Sequence, residues 1–197
     1  ARHHVVEPDA SAASYFLAMA AIWGGRCRVD ALGRTSLQGD AAFAHVLAKM
    51  GAKVEQDDDA TVVEGTGELR GGTFDLADMP DMTLTLATVA VFAKGPTRIA
   101  GVGILRHHES DRLAAVATEL RKLGADVQVE DDAIVVQPPP AGPKRGVALE
   151  TWGDHRMAMA LSLVGDVVIL APGVVAKTFP AYFNRLDDLG MVVATAT

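Results

Sequence analysis

Charged and titratable residues in this sequence gather where apolar helical runs begin. One stretch reads Arg106-His107-His108-Glu109-Ser110-Asp111-Arg112, which sets an acid, two imidazoles and two guanidiniums about a single helix start. Gly153-Asp154-His155-Arg156 opens another helical run, and Ala176-Lys177-Thr178-Phe179-Pro180 puts an ammonium just ahead of a third. Pro80-Asp81-Met82-Thr83 brings a carboxylate to a fourth. A helix N-terminus presents free N–H groups and roughly half a positive charge, so it attracts anions. Guanidinium forks match carboxylate and phosphate geometry, while a carboxylate beside them can take up or deliver a proton. If these starts converge, they make a site for a multiply charged anion undergoing proton transfer.

The elements that must position these residues come as three copies of one unit. Asp9, Asp81 and Asp154 each follow Pro or Gly and precede an apolar run, and they stand 72 and 73 residues apart. A second marker, Gly51, Gly124 and Gly190, recurs at spacings of 73 and 66 residues. Two markers with nearly one period indicate an internal repeat, with units at about 7–72, 73–146 and 147–197.

Each unit reads as helix, strand, helix, strand and, in most cases, one more strand. In the first, Asp9 caps a helix that runs to about Trp23 and ends at Gly24-Gly25. Cys27 to Leu32 follows as a strand, Asp40 caps a second helix through Met50, and Lys53–Gln56 with Thr61–Thr66 forms a hairpin around Asp57-Asp58-Asp59. The second has helices over Asp81–Phe92 and Asp111–Leu123, then strands at Asp126–Glu130 and Ala133–Val136. The third runs Asp154–Val164, Val167–Leu170, Pro180–Leu189 and Val192–Thr195. Met82-Thr83-Leu84-Thr85-Leu86 alternates like a strand, yet the repeat places it in a helix. Strands alternating with helices give an α/β domain of mixed sheets built as three related subdomains.

Composition bounds the partners. The 197 residues suffice for one domain with a sizeable core, 49% of them apolar but only 5% aromatic, so Ala, Val, Leu, Met and Ile must fill it. A formal charge of −7 excludes a nucleic-acid surface of clustered Lys and Arg, though not a small anion in one cationic cleft. The single Cys27 excludes a disulfide framework and a Cys-rich metal site, which fits a reducing, cytoplasmic setting. No run approaches the roughly 20 apolar residues of a membrane span. A start at Ala1 with neither an initiator Met nor a signal-peptide shape reads as a piece of a longer chain.

Pro80-Asp81-Met82-Thr83, His108-Glu109-Ser110-Asp111-Arg112, Gly153-Asp154-His155-Arg156-Met157-Ala158-Met159 and Ala176-Lys177-Thr178-Phe179-Pro180 resemble four ordered motifs of the 5-enolpyruvylshikimate-3-phosphate synthase family. Asp9-Ala10-Ser11-Ala12-Ala13-Ser14-Tyr15-Phe16 and Gln38-Gly39-Asp40 resemble further stretches of it. The resemblance covers nearly the whole chain and implies the C-terminal domain of a two-domain enolpyruvyl transferase, three βαβαββ-type subdomains around a pseudo-threefold axis. It implies transfer of the enolpyruvyl group of phosphoenolpyruvate to the 5-hydroxyl of shikimate 3-phosphate, with no metal or cofactor. Both substrates would bind against a missing N-terminal domain, so the isolated fragment is expected to be inactive.

Carried over by position, the resemblance makes Asp81 the proton acceptor near the shikimate hydroxyl and Glu109 the acid that exchanges protons with C3 of phosphoenolpyruvate. Arg112, Arg156 and Lys177 become its clamp, and His108 a contact to shikimate 3-phosphate where many members have Lys. His155 stands either as a packed group behind the ligands or as a ligand. Plainer readings stand beside these. Asp9 and Asp154 read as helix caps, His107 as a solvated neighbour, Met157 and Met159 as core, and Cys27 as an ordinary strand residue. Two other functions stay open: a UDP-N-acetylglucosamine enolpyruvyl transferase, and a non-catalytic anion-binding module of the same fold.

Overall fold

A computed structural model of the chain describes residues 6–107 and 110–196. The first helix, α1 (Ala10–Trp23), starts because the Asp9 carboxylate accepts from the Ala12 N–H at 3.0 Å, and stops at Gly24, whose φ of 79° only glycine adopts without strain. It leads into β1 (Arg26–Asp30), α2 (Phe43–Met50), β2 (Lys53–Gln56) and β3 (Ala60–Glu64). The strands form an antiparallel sheet in the order β1-β3-β2.

The next stretch carries β4 (Leu69–Arg70), β5 (Thr73–Asp75), α3 (Thr83–Ala90), β6 (Ala93–Lys94), β7 (Thr97–Ala100), α4 (Arg112–Lys122), β8 (Asp126–Val129) and β9 (Ala133–Gln137). Its main sheet runs β5-β7-β9-β8, with β5 parallel to β7 and both β7 and β8 antiparallel to β9. A short parallel pair, β4 with β6, lies apart from it. The last stretch holds β10 (Ala148–Leu149), α5 (His155–Ser162), β11 (Val168–Leu170), α6 (Tyr182–Asp188) and β12 (Ala194–Ala196) in a parallel sheet β10-β11-β12. The strand-helix-strand alternation is therefore observed three times, and in the middle stretch the strands of the main sheet with α3 and α4 follow β-α-β-α-β-β along the chain.

The core lies where α3 packs on both α1 and α5. All eight residues of α3 are buried, and α1 presents Ala13, Ala18, Ala20 and Ala21, small side chains that let helix backbones approach closely. That is how a chain poor in aromatics fills its interior at ordinary density. The Met82–Leu86 alternation is overridden because its apolar and Thr side chains are buried on every side. Several polar groups inside are matched, while Thr83 Oγ1 and Thr97 Oγ1 have no hydrogen-bond partner among the described residues. Ser14 Oγ faces Thr85 Oγ1 at 3.5 Å between α1 and α3, and the Trp23 indole donates to the Leu163 carbonyl at 3.1 Å, joining the ends of α1 and α5. The Tyr182 hydroxyl donates to the Met159 carbonyl at 2.9 Å, and its ring packs edge-on against Tyr15, Phe16 and Phe179. Met157 and Met159 are core residues, as expected. Among the described residues, no helix is long and apolar enough to cross a membrane.

Several sequence readings need correction. Asp40 does not cap α2: it sits inside a 3-10 turn, Gly39–Ala42, and its carboxylate takes the Ser11 hydroxyl instead. Leu32 lies beyond β1 but is buried. Strands β4 to β7 and β10 are only two to four residues long and add to the elements expected from the sequence.

Close approach ties the first stretch to the second. A Cβ added at Gly39 would lie 2.8 Å from the Asp78 carbonyl oxygen, so only glycine lets the Asp40 turn meet the loop ahead of Asp81. Gly39→Ala is expected to cost about 1–3 kcal/mol of stability in denaturant unfolding. An unchanged midpoint would show that the two loops do not meet this closely.

Candidate active site at converging helix starts

Asp9, Asp81 and Asp154 occupy matching places in the repeat, yet they do different work. Asp9 caps α1, and Asp154 caps α5 by accepting from the Arg156 N–H at 2.8 Å. Asp81 makes no capping bond, because it lies within a 3-10 turn, Pro80–Met82, that precedes α3. Its carboxylate is turned to two guanidiniums. Arg112 Nη1 donates to Asp81 Oδ1 at 2.8 Å, and Arg156 Nη2 reaches Asp81 Oδ2 at 2.9 Å.

Arg112 is the first residue of α4, where Asp111 supplies the cap to the Ala114 N–H. Its side chain is only 2% exposed, and its Nε donates to Asp154 Oδ2 at 2.6 Å. Asp154 is wholly buried, so one of its oxygens fixes the α5 backbone while the other fixes Arg112. Burying a charge is costly unless it is paired and hydrogen-bonded, and here each buried member has its partner. The starts of α3, α4 and α5 are thereby tied into one ionic cluster, with Asp81 (32% exposed) and Arg156 (17%) on its open side.

The surroundings continue this polarity toward α1. Tyr15 is buried behind Arg156, and its phenol is pushed well above its ordinary value, chiefly by burial and in spite of the Arg156 charge. Burial also raises the Asp40 carboxyl; the Ser11 hydroxyl bond opposes this and the Asp81 charge adds to it, so Asp40 borders the same patch. His155 is buried with Nδ1 3.6 Å from Asp154 Oδ1. Lys177 is exposed at the end of a 3-10 turn, Pro172–Lys177, that packs on α5. His108 and Glu109 lie outside the described residues.

Of the residues singled out from sequence, the structure joins Asp81, Arg112 and Arg156 directly and sets Lys177 on a neighbouring element. Asp154 does more than cap, since it is also Arg112's buried partner. Arg106 donates to the Glu130 and Asp131 carbonyls of the β8–β9 turn and lies 3.7 Å from the α4 cap, Asp111, rather than joining the cluster around Asp81. Cys27 is half-buried, with its thiol pushed up by burial. Tyr15, Ser11 and Asp40 stand in stretches that resemble the family, yet nothing in their spacing signals that Tyr15 lies behind Arg156 or that Ser11 bonds Asp40. Asp154→Ala would leave Arg112 buried beside one remaining carboxylate. It is expected to cost about 3–5 kcal/mol in equilibrium unfolding, and a loss under about 1 kcal/mol would mean that the pair is not buried as described.

The chain is similar to known proteins over nearly its whole length. A sequence model described as EPSP synthase (3-phosphoshikimate 1-carboxyvinyltransferase) matches residues 1–186. The 3-phosphoshikimate 1-carboxyvinyltransferase of Photorhabdus laumondii is 51% identical over 191 residues, 95% of this chain and 44% of that one. The Nostoc punctiforme protein of that name is 46% identical over 193 residues, 96% of this chain and 45% of its own. Among solved structures, EPSP synthase from Acinetobacter baumannii superposes with a TM-score of 0.81 at 27% identity, over 95% of this chain and 47% of that one. The enolpyruvyl transferase NikO from Streptomyces tendae shares the fold, with a TM-score of 0.74 at 23% identity over 94% of this chain and 44% of its own. The chain spans about half the length of the curated relatives it matches. With motif order, fold and similarity in agreement, the chain belongs to the EPSP synthase (3-phosphoshikimate 1-carboxyvinyltransferase) family.

Proposed function

We propose that this chain supplies one wall of an active site that transfers the enolpyruvyl group of phosphoenolpyruvate to the 5-hydroxyl of shikimate 3-phosphate. The second wall would be the N-terminal domain of the same enzyme. The observation that carries the reading is the shared Asp81 carboxylate, 2.8 Å from Arg112 Nη1 and 2.9 Å from Arg156 Nη2. The arrangement puts a carboxylate and anion-binding guanidiniums in one place, and an incoming anion that draws the guanidiniums off Asp81 would leave the carboxylate the stronger base that the hydroxyl proton needs.

In this scheme Asp81 takes the proton of the 5-hydroxyl as its oxygen attacks C2 of phosphoenolpyruvate, and Glu109 protonates C3. The tetrahedral adduct then loses phosphate, and C3 returns its proton to restore the double bond. Arg156 and Lys177 receive the phosphoenolpyruvate anion together with Arg112, whose guanidinium Asp154 holds in place. Fixed cations stabilise charge that grows on the departing phosphate without reorganising during the step. His108 would contact shikimate 3-phosphate, and its charge there would vary with pH. His155 would stand behind the ligands, buried against Asp154. A cleft with one wall can neither exclude water nor align both substrates, so these 197 residues alone are expected to give no turnover.

Steady-state phosphate release from the two-domain enzyme with both substrates tests the reading. Release dependent on both substrates is expected; none from a well-folded complete enzyme would defeat it. Within that enzyme, Arg156→Ala should weaken phosphoenolpyruvate binding by about 2 kcal/mol or more, with a smaller effect on shikimate 3-phosphate; equal losses would undo the assignment. Asp81→Asn should lower kcat by about a hundredfold or more, and near wild-type kcat would remove Asp81 from proton transfer.

A further inference from the structure

Glu119 is a carboxylate with no exposed surface, two turns along α4 from Arg112, and the chemistry above makes no use of it. Residues seven apart share one face of a helix, so α4 points both side chains the same way. Arg112 reaches the α5 cap, Asp154. Glu119 reaches the connection that leads into that cap. Its Oε2 accepts from the Glu150 N–H at 3.0 Å and from Lys122 Nζ at 2.7 Å, and its Oε1 accepts from the Trp152 indole N–H at 3.0 Å. The segment 150–154 is thus gripped twice by one helix, once near each end.

That segment needs the grip. Trp152 has φ 55° and Gly153 φ 70°, two successive left-handed residues, and the first is a bulky side chain that disfavours this region. Such a conformation persists only where its surroundings over-determine it. Trp152 is 49% exposed, so packing alone does not hold it, whereas its indole bond to a buried carboxylate does. The double turn then swings the chain so that Asp154 meets Arg112 and Arg156 opens α5 toward Asp81.

We infer that Glu119 is a positioning residue: through Glu150 and Trp152 it sets the angle at which α5 delivers Arg156 to the anion site. The kinetic consequence rests on the function proposed above, whereas the structural one does not. Glu119→Ala, Glu119→Gln and Trp152→Phe are compared in the two-domain enzyme, reading kcat, both KM values, melting temperature and amide exchange at Glu150 and Arg156. Glu119→Ala should raise KM for phosphoenolpyruvate about tenfold and KM for shikimate 3-phosphate less than about threefold. Glu119→Gln, which keeps one carbonyl acceptor, should recover part of the loss, and Trp152→Phe should show the same selectivity at smaller size. Exchange of the Arg156 amide should quicken in all three variants.

If Glu119→Ala does not fold, Glu119→Gln and Trp152→Phe decide the matter. Unchanged Arg156 exchange, or a lowered melting temperature with both KM values unmoved, would reduce Glu119 to a structural residue and overturn the inference. A wild-type enzyme that releases no phosphate would defeat the proposed function, and the exchange result would still decide the role of Glu119.

Discussion

Everything in the candidate site depends on the burial of Arg112. A guanidinium 2% exposed must be neutralised where it lies, and two carboxylates from different parts of the chain do so. Because Asp154 also caps α5, the ion pair and the helix start are one structure. Because Asp81 is shared with Arg156, the same cluster fixes a second cation at its open side. The helix packing brings these starts within reach, and the charges then fix their register to within a hydrogen-bond length.

An acidic chain can still carry guanidiniums on the open side of one cluster, as Arg156 shows. Many charged residues lie in exposed pairs such as Arg28 with Asp30 and Arg98 with Glu130, which add nothing to the formal charge of −7. Such pairs are worth little individually and are screened by salt. In the cluster, by contrast, Arg112 and Arg156 meet Asp154 and Asp81 over short distances in partly buried surroundings, where each charge is felt more strongly than in water.

The repeat made much of the fold legible. Asp9, Asp154, Gly24 and Gly51 announce helix ends through local chemistry, and the structure places caps at all four. Asp81 stands at the same place in the repeat, yet its side chain answers to Arg112 and Arg156, so a rule that infers a cap from place in the repeat fails there. Asp40 fails for the same reason, since its partner Ser11 lies 29 residues away. Strands β4, β6 and β10 are two residues long, too short to carry a period, and they exist only because a neighbouring strand is there to pair with. The motif residues could be picked out by type. Their contacts with Tyr15, Asp154 and the Glu119-held turn are long-range, and no spacing rule reaches them.

A double-mutant cycle between Arg112 and Asp154, read by denaturant unfolding, tests the central claim most directly. Arg112→Gln and Asp154→Asn should each destabilise, and the double variant should recover part of the loss, giving a coupling of about 1–3 kcal/mol. Additivity of the two losses to within about 0.5 kcal/mol would contradict the account, because it would mean that the buried charges do not depend on each other.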